Sequence, residues 1–169
     1  MTSEYLKQCV VYMADDGNFI WRRRPTSHFK DERTAQSWNT RNAGNNAGSV
    51  YAGRVLLSID NKKFYAHRLA WLYHYGEWPK LQIDHVNRNA MDNRIANLRL
   101  ATYSENGRNR KAPLRSLPRG VYVHNHKFVA RIKLKGISYH LGVFDTACAA
   151  SAAYIKAAQQ KFGEFYCAE

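Results

Sequence analysis

Apolar and polar positions change period along the chain. Near the N-terminus, Val10-Val11-Tyr12 and Phe19-Ile20-Trp21 flank Ala14-Asp15-Asp16-Gly17-Asn18, the composition of a strand, a turn and a returning strand. The Gly- and Asn-rich stretch from Asn42 to Gly48 reads as a loop. Val50 to Ile59 and Lys62 to Tyr65 then flank Asp60-Asn61, a two-residue turn for a second hairpin. From Ala66 to Tyr75 the period becomes helical, with Leu69, Leu72 and Tyr73 on one stripe and Gly76 and Pro79 as the stop. Trp71, Tyr73 and Trp78 at this spacing are core residues, and His67, which opens the helix, reads as structural.

Leu81 to Val86 and Leu98 to Ala101 form two short strands around the polar loop Asn87 to Asn97. Thr102-x-x-Glu105 has the form of a capping box, so a helix starts there. Two prolines and few core-forming residues make 112–118 a linker. Beyond it, Gly120 to His124, Lys127 to Leu134 and Ser138 to Phe144 suggest a three-stranded meander with turns at Asn125-His126 and Lys135-Gly136. Thr146 caps an Ala-rich helix to about Lys161, and Gly163 ends it. The fold class expected is α+β, with a mostly β region over 1–64, a strand, loop, strand, helix core over 65–111, and a sheet packed on one helix over 119–169.

Composition then narrows the partners. Twenty-six Lys and Arg against 13 Asp and Glu give a formal charge of +13, which points to a polyanion. An apolar fraction of 45% with 13% aromatics is enough for packed cores and excludes a disordered chain. No apolar run approaches the ~20 residues of a membrane helix, and no signal-peptide core opens the chain, so a soluble protein of the cytoplasm is expected. Cys9, Cys148 and Cys167 are few and scattered, which fits a reducing compartment and three structural cysteines.

The middle of the chain carries the chemistry. Asp84-His85, Asn97 and Asn106 put a carboxylate, an imidazole and two amides on one short scaffold. Hydrolysis of a phosphodiester needs a base for water and a hard cation for the charge that develops on phosphate. Mg²⁺ takes few protein oxygens and completes its shell with water and phosphate, so Asp84 and Asn106 suffice as ligands, with His85 as the base. No histidines pair at metal spacing, so zinc is not expected. Asp92, Asn93 and Arg94 read as loop-forming residues.

Residues 66–110, AHRLAWLYHYGEWPKLQIDHVNRNAMDNRIANLRLATYSENGRNR, resemble the phage-type HNH homing endonucleases, and the similarity extends to GNFIWRRR and RVLLSIDNKKFYAHRLAW upstream. The resemblance implies a ββα-metal fold in which Asp84 and Asn106 ligate Mg²⁺ or another divalent cation such as Mn²⁺. His85 would then be the general base, and Asn97 would hold the loop that orients it. It leaves the second ligand open between Asn106 and Asn109. The implied reaction leaves a 5′-phosphate and a 3′-hydroxyl on DNA, and the implied setting is a phage-encoded enzyme in the host cytoplasm.

Residues 119–166, with RGV, LGVFDT and a helical AAxAY, resemble the Apetala-type DNA-binding domain of plant ethylene-response factors. That resemblance implies a sheet lying in the major groove of double-stranded DNA, with Arg119, Tyr122, His124, Arg131, Lys133 and Tyr139 at the contact positions. Arg22, Arg23, Arg24, Arg108 and Arg110 would add phosphate contacts. A monomer is the favoured assembly. The rival readings are a DNA-binding regulator with a decayed nuclease site and an RNA-binding protein that uses the same basic, aromatic sheet.

Overall fold

The computed structural model describes residues 1–109 and 116–166, so Arg110, most of the 112–118 segment and Cys167 lie outside the described residues. The chain divides into two compact units, Met1–Thr102 and Tyr103–Glu169.

Helices open a region whose sequence reads as mostly β. Helix α1 (Ser3–Cys9) is capped by the Thr2 hydroxyl, which accepts from the Tyr5 amide, and it runs directly into the hairpin β1 (Val10–Met13) and β2 (Asn18–Trp21). Helix α2 (Glu32–Asn42) is capped by Asp31, whose carboxylate accepts from the Thr34 amide at 2.7 Å. Only Ala35 and Asn39 are buried on α2, so it has no apolar stripe to reveal it. Asn39 instead clamps the Arg24 backbone, accepting from its N–H and donating to its C=O, both at 2.9 Å.

The expected Val50–Ile59 strand is broken by Ala52-Gly53, both at positive φ (47° and 72°), into β3 (Ser49–Tyr51) and β4 (Arg54–Ile59). With β5 (Lys62–Tyr65) they form an antiparallel sheet in the order β3-β4-β5, and Asp60-Asn61 makes the second turn at φ 51° and 61°. Tyr65 leads into α3 (Ala66–Tyr75), which ends at Gly76 with φ 80°. Next come β6 (Gln82–His85) and β7 (Leu98–Ala101), paired antiparallel across the polar loop. One core joins these elements: Leu6, Val10, Phe19, Leu57, Ile59, Leu69, Leu72, Ile83 and Leu98 are buried together. Each such side chain contributes roughly 1.5–3 kcal/mol on burial. The strand pair that carries the candidate chemistry is thus built onto the N-terminal elements.

The second unit begins with α4 (Tyr103–Arg108) and contains β8 (Val121–His124), β9 (Lys127–Leu134) and β10 (Ile137–Phe144) in the order β10-β9-β8, followed by α5 (Ala147–Phe162). Both meander turns fall where the sequence puts them, with Asn125, His126, Lys135 and Gly136 all at positive φ. The Thr146 hydroxyl caps α5 by accepting from Ala149 N at 3.1 Å. Ala130, Ala150 and Ala158 are fully buried, so small side chains bring helix and sheet close together. Gly120, at φ 74°, lies so near the Tyr154 ring that no Cβ fits there. Cys9 is buried, whereas Cys148 is exposed on α5 rather than packed as the sequence reading expected. Among the described residues the class is mixed α and β, with small antiparallel sheets and five α-helices.

Candidate active site

Asp84 and His85 are consecutive on β6, so strand alternation sends their side chains to opposite faces, and the register with β7 shows what meets each. Asp84 pairs across the ladder with Arg99, whose Nε and Nη2 both donate to Oδ2, at 2.9 and 2.8 Å. On the other face, His85 meets the His67 ring edge-on at 5.2 Å between centroids. Asp84, His85 and His67 are all buried. The chain bends immediately after His85, where Arg88 N donates to His85 O at 2.8 Å and Arg88 takes φ 63°. Both residues therefore keep defined surroundings at the end of a strand.

The loop that follows is tied at its centre by Asn97. Its Oδ1 accepts from Asn87 N at 2.9 Å, and its Nδ2 donates to Asn87 Oδ1 at 3.0 Å and to Asp92 O at 2.9 Å. Asn87 Nδ2 in turn donates to Asp92 Oδ2 at 2.7 Å, and Arg94 grips the same carboxylate through Nε at 2.8 Å and Nη2 at 2.6 Å. The Arg94 hydrogen bonds hold the Asp92 carboxyl down at about 2, so this knot stays charged in all but strong acid. From the N-terminal hairpin, Tyr12 Oη donates to Asn93 O at 2.6 Å, and burial pushes its phenol up to about 12, which keeps the donor proton in place. The turn of the same hairpin presses on the loop. A Cβ on Gly17, which sits at φ 72°, would lie 2.6 Å from the Asn93 carbonyl carbon and closer still to Arg94 N.

An imidazole at a strand end, beside an amide-knotted loop, is a group that can take a proton from water. Residues 64–108 match the family model of HNH endonucleases. The HNH segment covers Asp84, His85, Asn97 and Asn106, together with His67, and ends one residue short of Asn109. No curated protein and no solved structure matches the chain. Within the HNH segment, His67 has the role least legible in sequence. It reads as structural from its place on α3, and only the tertiary approach of α3 to β6 sets it against His85.

Burial lowers the His67 pKa to about 3, helped by the positive field of His85, Arg54 and Arg68. The His85 pKa is lowered as well, first by burial and then by Arg54, against the opposing effects of Asn93, Asp84 and Asp92. Both rings are therefore held toward the neutral form. The sign for stability follows directly. In the unfolded chain both bind protons below ~6.5, while the folded chain resists this, so stability is full above ~6.5 and is lost as pH falls toward about 3. Each group that fully resists protonation contributes a slope of about 1.4 kcal/mol per pH unit. Urea midpoints are expected to fall between about pH 7 and pH 5, and to fall less in His67→Phe. A level profile over that range would rule out the desolvated pair.

No cluster of three His, Cys, Asp or Glu side chains exists among the described residues. Asp84 carries hard oxygen donors of the kind a divalent cation takes. At Asp84 such a cation would share the carboxylate with Arg99.

In the second unit, cross-strand partners define an open sheet face that carries Tyr122, His124, Arg131 and Lys133, with His140 opposite Arg131 and Ser138 opposite Lys133. His140 was not among the residues singled out from sequence. Its signal is the register alone. Tyr139 does not share this face: it lies opposite Ile132 on the helix side, with Lys161 Nζ 4.6 Å from its ring centroid. Arg108 is half-buried with its guanidinium over Phe162, and Arg119 donates to Arg108 O at 3.3 Å. Asn106 is half-buried and Asn109 buried. In the first unit, Arg22 and Arg23 are exposed as expected, but Arg24 is not. Its guanidinium pairs with Asp60 at 2.6 Å, donates to Tyr5 and His28, and lies against the Phe29 and Trp38 rings, so it is a structural tie rather than a phosphate contact.

Proposed function

We propose that this protein is an HNH endonuclease that hydrolyses phosphodiester bonds of double-stranded DNA with a divalent cation, Mg²⁺ or Mn²⁺. The observation that carries the reading is the Asp84-His85 pair and the Asn97-knotted loop inside the segment that matches HNH endonucleases. His85, whose burial favours the neutral ring, takes the proton from the attacking water. Asn97 fixes the loop that begins directly after His85, and so holds the strand end on which the base sits. Asp84 and Asn106 would hold the cation, which when bound neutralises charge on the phosphate and the leaving oxygen. Asn106 is preferred to Asn109 because it lies within the matched segment and Asn109 does not.

The second unit serves as the DNA reader. Arg131 and Lys133, with Tyr122 and His124, offer a basic, aromatic sheet face of the kind that enters a major groove, and Arg119, Arg108 and Arg110 would add contacts of their own. A net charge of +13 supports a nucleic-acid partner. The setting that agrees with the two resemblances is a phage-encoded homing endonuclease acting in the cytoplasm of its host.

Supercoiled DNA incubated with the protein should be relaxed or linearised in Mg²⁺ and left intact in EDTA, with mapped ends bearing 5′-phosphate and 3′-hydroxyl groups. Asn106→Ala should lose activity that excess metal partly restores, and Asn109→Ala should not. Binding without cleavage under every metal tested would favour the DNA-binding regulator, and preference for RNA in competition would favour the RNA-binding reading.

A further inference from the structure

Three arginines of the first unit are already neutralised: Arg24 by Asp60, Arg94 by Asp92 and Arg99 by Asp84. Arg54 is different. It is exposed at the start of β4, and among the described residues no carboxylate pairs with it. Its guanidinium lies 5.8 Å from the Tyr65 ring centroid, and Tyr65 is 45% exposed. Behind Tyr65 the rings continue inward, with Tyr65 stacked on His67 at 5.5 Å and His67 edge-on to His85 at 5.2 Å. A single ladder thus leads from an uncompensated cation in solvent to the buried imidazole.

The sheet register widens this footing. Tyr51, 70% exposed, lies directly opposite Arg54, while Tyr65 faces Leu56 and Lys63 faces Ser58, which puts Tyr51, Arg54, Tyr65 and Lys63 on the same side of the β3-β4-β5 sheet. Guanidinium over an aromatic face is an arrangement that pre-orients the fork of donors with little further loss of freedom on binding. A phosphate is an anion such a fork can bind bidentately, and the net charge of +13 favours a polyanion as its source.

We propose that Arg54, seated on Tyr65, binds a backbone phosphate of the nucleic-acid strand presented to His85, making the outer face of the β3-β4-β5 sheet a second contact surface independent of the C-terminal sheet. The inference rests on the nuclease reading for the meaning of the site, but not for the phosphate contact itself. Arg54 also lowers the proton affinity of both His67 and His85, which agrees with a cation directed at that end of the ladder.

The test uses the full chain and a DNA duplex, with affinity measured across a salt series and single-turnover cleavage at sub-saturating and saturating duplex. Arg54→Gln is expected to lower the slope of log affinity against log salt by about one, since one phosphate contact is lost. It should slow cleavage more at sub-saturating than at saturating duplex, because the lost contact is one of binding. Arg54→Lys should restore the salt slope, because the charge is kept. Tyr65→Phe should behave as wild type, whereas Tyr65→Leu should weaken binding with a smaller change in slope than Arg54→Gln, because the charge stays and only its platform is lost. An unchanged salt slope in Arg54→Gln overturns the inference whether or not the wild type cuts DNA. A lowered slope in a protein that cuts no DNA leaves the phosphate contact standing and refutes the nuclease reading alone.

Discussion

His85→Ala should slow cleavage by about 10²–10⁴-fold, the usual loss when a general base is removed, while DNA affinity stays near the wild-type value. The side chain is buried and packs against His67 and the loop, not on an exposed basic face, so it contributes little to holding a duplex. Its removal also deletes a ring from the His67 contact, so folding must be followed alongside activity. A variant that melts like the wild type and cuts at the wild-type rate would remove His85 from the mechanism.

Asp84→Ala should cost both activity and about 3–5 kcal/mol of stability, because it breaks a buried ion pair by removing the carboxylate to which Arg99 Nε and Nη2 are bonded. That is a large share of the roughly 5–15 kcal/mol that holds a typical domain folded. The two effects separate in the double variant Asp84→Ala with Arg99→Met. Replacing both members of a buried ion pair by apolar groups is often neutral, so the double variant should regain most of the stability and remain inactive. If Asp84→Ala alone unfolds at the wild-type denaturant midpoint, the pair carries no structural weight. If the double variant cleaves DNA, Asp84 is not a ligand.

The parts of the fold that follow local rules were legible in the sequence. The turn at Asp60-Asn61, the α3 stop at Gly76, the Thr146 cap and the C-terminal meander all depend on residues within a few positions of one another. Helix α2 was not legible because it buries only Ala35 and Asn39, and its cap and end charges are weak signals without an apolar stripe. Helix α1 was hidden because it has only seven residues and its last, Cys9, is followed directly by β1. At the candidate site, the Asp84-His85 pair and Asn97 stood out by type and spacing. Arg99 and His67 did not, since the first reaches Asp84 through strand register and the second reaches His85 through helix packing. Arg24 was misread for the same reason. Three consecutive arginines look like a solvated basic run until the third is found buried against Asp60.

The close seat of Gly17 against Asn93 and Arg94, with Tyr12 bonded to Asn93, bears on how the site is made during synthesis. Chains leave the ribosome from the N-terminus, and early segments can fold before later ones emerge. The hairpin is therefore synthesised before the loop, but it shares one core with β6 and β7, so the loop is set only as Met1–Thr102 folds as a unit. The matched segment is for the same reason not a portable cassette: transplanted without residues 10–21 it would keep its donor atoms and lose the surface against which they are set.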